Sequence, residues 1–192
     1  EIVVAATEGE SLDHQPTTFV GYTELTASAK LAEVIASDKD TFLLFDQTPF
    51  YGEMGGQAGD NGTVVIGSLT LPIVDAIKDK AGRTLHRVGT AENFKSQISS
   101  LKPGAAATLS VDVVRRRAIT RHHTAEHLIH WALRKILGTH VRQAGTHKTA
   151  ERMRFDFTHF EAVTPAQLHQ VEQLVNQRIL DNTPVACFET DF

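Results

Sequence analysis

The sequence contains a single cysteine, Cys187, and no long uninterrupted run of apolar residues. One cysteine excludes an internal disulfide and is typical of a protein from a reducing compartment. No segment approaches the ~20 apolar residues that a membrane-spanning helix needs, so we expect no membrane partner. The N-terminal residues lack the basic start and the apolar core of a secretion signal. These absences, with an ordinary charged fraction of 22%, predict a globular cytoplasmic protein.

An initiating methionine is also missing, because the chain opens on Glu1 and an apolar stretch. We therefore expect a segment of a longer protein, in which residues 1–17 form a linker from a preceding domain. The 192 residues suffice for one large or two small domains. The sequence has no internal repeat and no low-complexity stretch, so a repeat architecture is excluded.

Charge is divided unevenly along the chain, although the net charge of the whole is only −4. Residues 1–110 contain eight Lys and Arg against fourteen Asp and Glu, whereas residues 115–154 contain ten against two. Six of the ten histidines lie between His122 and His147. A basic segment in an acidic protein predicts a local anion-binding patch and not a general nucleic-acid coat, and we expect no DNA partner. The alternative is a solvated helix face with ordinary basic residues.

Short extended runs separated by glycine turns fill the first half of the chain. Apolar or alternating runs predict strands at residues 42–45, 62–66, 69–77, 84–88 and 107–113. The turn residues between them include Gly67, Gly82 and the Pro103-Gly104 pair. Several strands at short intervals predict a small antiparallel β-barrel or sandwich, which we place at residues 18–113.

The periodicity becomes helical in the second half, which we treat as a separate domain at residues 114–192. Apolar residues recur at three- and four-residue steps until Gly138, a suitable stop, and Thr164-Pro165 is a typical helix start. The expected elements are a helix at about 118–137, a strand at 153–157, a helix at 165–180 and a strand at 183–188. The predicted fold class is therefore α+β, a small β-barrel followed by a helix–strand–helix–strand unit with an incomplete sheet.

His123 and His127 are separated by one helical turn and so lie on one face of the first predicted helix. Two imidazoles at this spacing can reach one metal ion about 2 Å from each nitrogen. Two surface histidines on a basic helix would have the same spacing. A second alternative is that residues 123–127 match the H-x-x-E-H string of the inverzincins, with Glu126 as general base and a third ligand far downstream. The remaining clustered histidines are expected to serve packing and the basic surface.

The triplet Gly55-Gly56-Gln57 is a second candidate for chemistry. Two glycines let backbone amides approach a ligand closely, and a glutamine amide can hold a water molecule or a carbonyl group. A simple β-turn would also use glycines here, because they tolerate positive φ. We favour a turn that also lines the site.

These motifs resemble, in matching order, the editing region of the alanyl-tRNA synthetases and their free-standing relatives. The resemblance covers nearly all of residues 19–190, and the segments that carry it are residues 19–22, 48–60, 123–138, 140–145 and 152–161. The order of several separated motifs is far more specific than any one of them.

The resemblance implies hydrolysis of mischarged seryl- or glycyl-tRNA(Ala) at a second, hydrolytic sieve. Such a sieve is needed because an alanine pocket discriminates a single methylene or hydroxyl group by only ~1–3 kcal/mol. In the family, residues that match His123 and His127 bind zinc, and the residue that matches Gln143 shapes the amino-acid pocket. The basic side chains expected at the phosphates of the tRNA acceptor end are Arg115, Arg116, Arg117, Arg121, Arg134, Lys135 and Arg142.

The family completes its zinc site with a downstream Cys-x-x-x-His pair, which this sequence lacks. The fourth residue after Cys187 is Asp191, and we interpret Cys187 as a small buried residue. We therefore expect half a zinc site, with zinc absent or loosely held, and an inactive isolated segment; ATP-dependent alanylation would belong to the rest of the parent enzyme. Two alternatives are a module that only binds the acceptor stem and a free-standing deacylase.

Overall fold

The computed structural model describes residues 16–36 and 40–186, and the chain divides into two compact units. The first unit contains the chain up to Met54 and residues 59–113. The second unit contains Gly55–Ala58 together with the chain from Val114 onwards. A short segment in the middle of the first half therefore belongs by its contacts to the second unit.

The first unit is built around a closed barrel of six antiparallel strands in the order β2-β3-β7-β6-β5-β8. Its elements are β1 (Thr18–Phe19), β2 (Thr26–Ala36), β3 (Thr41–Phe45), β4 (Gln47–Thr48), β5 (Gly62–Ile66), β6 (Leu69–Lys78), β7 (Thr84–Val88), a 3-10 turn (Ala91–Phe94), α1 (Lys95–Ser99) and β8 (Ala106–Val111). The short strands β1 and β4 pair in parallel outside the barrel. Closure leaves the barrel sheet without a free edge.

Alternating side chains fill the barrel interior. In β2, Ala27, Ala29 and Leu31 are buried while the residues between them are exposed, which is the period of two that a half-buried strand requires. Leu43 and Leu109 are fully buried in the same core. Small residues on β2 leave room for the larger ones that pack within the barrel.

A polar chain of hydrogen bonds crosses this apolar interior at His86. The Nδ1 atom of His86 lies 2.9 Å from the carbonyl oxygen of Leu43, and its Nε2 atom lies 2.7 Å from Thr48 Oγ1. Because the carbonyl only accepts, Nδ1 carries the hydrogen and Nε2 accepts from the Thr48 hydroxyl. Thr48 Oγ1 in turn accepts from the backbone amide of Phe50 at 3.0 Å. The rings of Phe45 and Phe50 meet the imidazole edge to face, so His86 is completely enclosed.

The second unit is mixed α and β. Its elements are α2 (Val113–Leu137), β9 (Gln143–Lys148), β10 (Met153–Phe157) and α3 (Pro165–Leu180). Helix α2 ends before Gly138, whose φ of 116° is one that a side chain strongly disfavours. Strands β9 and β10 form an antiparallel pair. The core of this unit gathers Leu133, Val141 and Val171 around the apolar face of α2.

Helix α3 begins with a complete capping box. Thr164 Oγ1 accepts from the backbone amide of Gln167, and the Gln167 side chain accepts from the backbone amide of Thr164. Thr164→Ala is expected to lower the free energy of unfolding of this unit by about 1 kcal/mol. Trp131, the only tryptophan, lies under Arg178 of α3, so its fluorescence during urea unfolding reports the loss. Thr164→Ser keeps the hydroxyl and should unfold as the native chain does; an equal loss in both variants would contradict the capping role.

The structure confirms the fold class as α+β with an antiparallel barrel. The strands at 62–66, 84–88 and 153–157 and the helix at 165–180 have the predicted bounds, while the first helix starts earlier, at Val113. Because α2 begins at Val113, the last barrel strand, which was predicted to reach Val113, ends at Val111. Strands β1, β2, β4 and β9 were not predicted.

The order of elements in the second half differs from the prediction. It is helix–strand–strand–helix, because β9 precedes β10, whereas a helix–strand–helix–strand order was expected. Residues 183–186 form no strand, and the rest of the strand predicted at 183–188, with Cys187, lies outside the described residues, as do residues 1–15 of the predicted linker. None of the helices in the described ranges has the length and apolar character to cross a membrane.

Candidate functional site

His123 and His127 are neighbours on one face of α2, as the spacing predicted. Their rings are stacked, with centroids 5.2 Å apart and an angle of 16° between the ring planes. His123 is half-buried, whereas His127 is exposed. One imidazole is therefore held by the protein and the other faces solvent.

Gln57 is the residue that holds His123. Its Oε1 atom lies 2.7 Å from His123 Nδ1. A carboxamide oxygen only accepts, so Nδ1 carries the hydrogen and the lone pair of Nε2 is left available. Gln57 is 4% exposed. Its amide oxygen is thus engaged by a histidine, whereas the sequence predicts that it holds a water molecule or a substrate carbonyl.

The turn that carries Gln57 depends on its two glycines. Gly55 and Gly56 have φ values of 61° and 74°, in the left-handed region that favours glycine. A Cβ atom on Gly56 would lie 2.4 Å from the carbonyl oxygen of Thr146, whereas one on Gly55 would have nothing within 4 Å. The turn therefore packs with its backbone directly against β9. This close approach is a structural reason for glycine at position 56.

Glu126 and Lys148 form a buried ion pair beside this turn. The Lys148 ammonium group donates to Glu126 Oε2 and, at 3.0 Å, to the carbonyl oxygen of Gly55. Thr146 Oγ1 donates to the same carboxylate oxygen at 2.9 Å. Lys148 and Glu126 are 1% and 3% exposed. Sequence reasoning missed this pair; the available signal was an acidic residue three positions after His123, on the same helix face.

Burial and charge both act on the ionisation of these groups. Desolvation by burial lowers the pKa of His123 below its ordinary value, and the nearby charge of Lys148 and the presence of His127 lower it further, against the opposing effect of Glu126. Burial by itself raises the pKa of Glu126, but hydrogen bonds from Lys148 and Thr146 outweigh it, so the net pKa is lowered. His123 is accordingly neutral and Glu126 charged at neutral pH, as a ligating imidazole and a salt-bridged carboxylate require.

The chemistry of this site fits half of a zinc centre. A histidine that donates its Nδ1 hydrogen to an oxygen acceptor presents Nε2 in a fixed orientation, which is the usual arrangement behind a metal-ligating imidazole. Across residues 16–36 and 40–186, no three His, Cys, Asp or Glu side chains form a group that could hold a metal ion. The inverzincin alternative does not fit, because the carboxylate of Glu126 is buried and engaged by Lys148 and Thr146.

Gln143 and the basic residues lie on the surface. Gln143 is exposed at the start of β9, at the opposite end of that strand from Lys148. Arg116 is buried, at 8% exposure, and is therefore the least suitable of the predicted phosphate contacts. Arg115 is partly exposed, and the exposed members of the basic set are Arg117, Arg121, Arg134, Lys135 and Arg142. Helical periodicity brings Arg117, Arg121 and Lys135 to one side of α2.

Three of the other clustered histidines, His122, His130 and His140, have partners of their own, whereas His147 is exposed. His122 Nδ1 lies 2.7 Å from the carbonyl oxygen of Thr149, and the ring of His130 packs on Phe155. His140 contacts His159, with Nε2 and Nδ1 2.9 Å apart. These contacts agree with a packing role and leave His123 and His127 as the pair with the strongest case for ligation.

Comparison with known proteins gives consistent similarities. Residues 3–114 match the family model for class II tRNA synthetases (A). The chain is 58% identical to an alanine–tRNA ligase of Opitutus terrae, over all of the chain and 20% of that ligase. It is 41% identical to one from Methylacidiphilum infernorum, over 91% of the chain and 18% of the relative, and 39% identical to one from Acetivibrio thermocellus, over 88% and 20%. The chain thus spans about a fifth of the length of these curated relatives.

Proposed function

Since this chain belongs to the alanine–tRNA ligase family, we propose that it contributes part of the site at which a mischarged seryl- or glycyl-tRNA(Ala) is hydrolysed. The observation that carries the proposal is the hydrogen bond from His123 Nδ1 to Gln57 Oε1, next to the stacked ring of His127. It joins the Gly55-Gly56-Gln57 turn to the histidine pair of α2, although these two motifs are far apart in the sequence. Alanylation of tRNA(Ala) with ATP is proposed for the whole parent protein, outside this segment.

The histidine pair supplies nitrogen ligands, and the surrounding residues control their state. His123 Nε2 and His127 would hold a zinc ion together with ligands from elsewhere in the parent protein; when bound, zinc would polarise the ester carbonyl or supply hydroxide at neutral pH. Gln57 keeps the Nε2 lone pair of His123 available. The lowered pKa of His123 keeps the imidazole neutral, which favours ligation.

Substrate contacts are proposed on two surfaces. Gln143 offers an exposed carboxamide that could recognise the serine hydroxyl group, a contact that the alanine ester cannot make. Arg117, Arg121 and Lys135 support phosphate binding at the tRNA acceptor end, because they are exposed and share one side of α2. The same exposed basic set favours the second candidate function, a module that binds the acceptor stem without chemistry of its own.

The two functions differ in the response of the complete parent ligase to His123→Ala/His127→Ala. We expect the rate of seryl-tRNA(Ala) deacylation to fall at least tenfold, because both nitrogen ligands are lost, while alanylation and tRNA affinity stay within a factor of about two. His147→Ala, at an exposed histidine outside the pair, is the matched control and should deacylate normally. Undiminished deacylation with weakened tRNA binding would support the binding module instead.

A further inference from the structure

We propose that Lys148 is a positioning residue for His123. Its ammonium group ties the turn formed by Gly55, Gly56 and Gln57 to α2, and the turn held in this place selects the Nδ1–H tautomer of His123. The use of that tautomer in ester hydrolysis rests on the function proposed above. The positioning itself concerns only atoms of this chain, and it can be tested without a metal ion or a substrate.

The turn is attached to α2 at two points. At the first point, Gln57 Oε1 accepts from His123 Nδ1. At the second, the Lys148 ammonium group bridges the carbonyl oxygen of Gly55 and the carboxylate of Glu126. His123 and Glu126 are three residues apart on α2 and therefore lie side by side on one helix face. The two attachments hold the turn against α2 at separate residues, Gln57 and Gly55.

Lys148 donates hydrogen bonds to the carbonyl oxygens of both glycines in the turn. Its backbone amide donates to the carbonyl oxygen of Gly56 at 2.7 Å, and its side chain donates to that of Gly55. Its own carbonyl accepts from the amide of Ala58 at 3.0 Å. The backbone bonds run along β9 and fix the distance of the turn from the strand. Only the side-chain bond links the turn to α2 through Glu126.

A purely structural role does not account for charged residues here. Burying two opposite charges carries a desolvation cost that well-packed apolar residues of similar volume avoid, so an ion pair is weak evidence for stability. An apolar residue at position 148 would still pack, but it would leave the Gly55 carbonyl without a donor. The function that an apolar pair could not replace is this hydrogen bond, which holds the turn that carries Gln57.

The test compares two uncharged replacements of the ion pair in the metal-free 192-residue chain. Glu126→Gln/Lys148→Gln keeps a donor for the Gly55 carbonyl, and Glu126→Gln/Lys148→Met removes it, so the two differ only at position 148. The measurement is the ratio of the two imidazole tautomers of His123, read from the ¹⁵N chemical shifts of its ring nitrogens at neutral pH. Gln57→Leu removes the oxygen that accepts from His123 Nδ1. It therefore gives the tautomer ratio expected when this hydrogen bond is completely lost.

We expect the Nδ1–H tautomer to dominate in the native chain and in the Gln variant. In the Met variant we expect the tautomer ratio to shift by about tenfold towards that of Gln57→Leu, the size expected for one lost hydrogen bond. A native ratio in a folded Met variant would overturn the positioning role. So would an equal shift in the Gln and Met variants, since loss of charge alone would then explain it.

A second variant is measured in case Glu126→Gln/Lys148→Met does not fold. Thr146→Val removes another partner of Glu126 but no bond to the turn, so we expect a native tautomer ratio there; a tenfold shift would assign the effect to Glu126 and overturn the role of Lys148. The readout is also independent of deacylation. A native tautomer pattern with no hydrolysis in the parent ligase would refute the proposed function and leave the positioning role intact.

Discussion

Gly56→Ala is expected to lower the free energy of unfolding of the second unit by about 3 kcal/mol or more. An alanine in the left-handed conformation costs ~1–2 kcal/mol, and the φ of Gly56 is 74°. In addition, the new Cβ would lie 2.4 Å from the carbonyl oxygen of Thr146, a distance that backbone atoms can relieve only by moving apart. That movement would lengthen the bonds between the turn and β9, and it would displace Gln57 from His123.

Gly55→Ala provides a matched control for this prediction. Its φ of 61° imposes a similar conformational cost, but nothing lies within 4 Å of the added Cβ, so a loss of only ~1–2 kcal/mol is expected. Urea unfolding followed by Trp131 fluorescence measures both variants in the unit that contains the turn. Equal losses in the two variants would show that backbone conformation alone, and not the approach to Thr146, requires glycine at position 56.

Acidification is expected to destabilise the barrel through His86. Burial lowers the pKa of His86 to about 4 in the folded state, although the hydrogen bond to the Leu43 carbonyl opposes the shift. The unfolded value is about 6.5, so the unfolded chain binds a proton at a higher pH than the folded barrel does. The stabilisation is therefore complete above pH ~6.5 and is lost as the pH falls towards 4. At pH ~4 the loss amounts to about 3 kcal/mol.

Two measurements check this result. The ring resonances of His86 should stay those of a neutral imidazole until the pH approaches about 4, and the urea midpoint of the barrel amides should fall between pH ~6.5 and ~4. The carboxylates also titrate in this range, so the pH slope is compared with that of His86→Asn, which cannot take up the proton. Parallel slopes in the native and variant chains would refute the assignment, as would a His86 resonance that titrates near its ordinary pKa.

The sequence predicted those strands whose residues themselves carry a strong pattern. Residues 62–66 and 84–88 combine β-branched or apolar residues with glycine-containing turns, and both strands have the expected bounds. Strand β2 was missed because the buried positions of its first half include small residues, Ala27 and Ala29, whose alternation is a weak hydrophobic signal. Strand β9 was missed because most of its side chains remain at least partly exposed and polar. This strand is recognised by its pairing with β10 and not by a periodicity in its sequence.

The candidate site was predictable only where local spacing defines geometry. The positions of His123 and His127 on one face follow directly from the helical repeat. The partner of His123 did not follow, because Gln57 is 66 residues away and many surfaces could have met it. The pairing of Glu126 with Lys148 did not follow either: Glu126 entered only as the general base of the inverzincin alternative, and Lys148 is an ordinary charged residue until the fold buries it beside that carboxylate. The roles of Gln143 in substrate recognition and of the basic residues in tRNA binding remain predictions.

The placement of Gly55–Ala58 within the second unit has a consequence for how this protein can be divided. A gene fragment that starts at Val114 would encode, within residues 114–186, each helix and strand of that unit except the start of α2, and its boundaries would look natural by sequence. It would nevertheless lack Gln57, and His123 would lose the acceptor that selects its tautomer. The two halves are therefore not exchangeable modules. Recombination at their apparent border would separate His123 from Gln57, the residue that accepts its Nδ1 hydrogen.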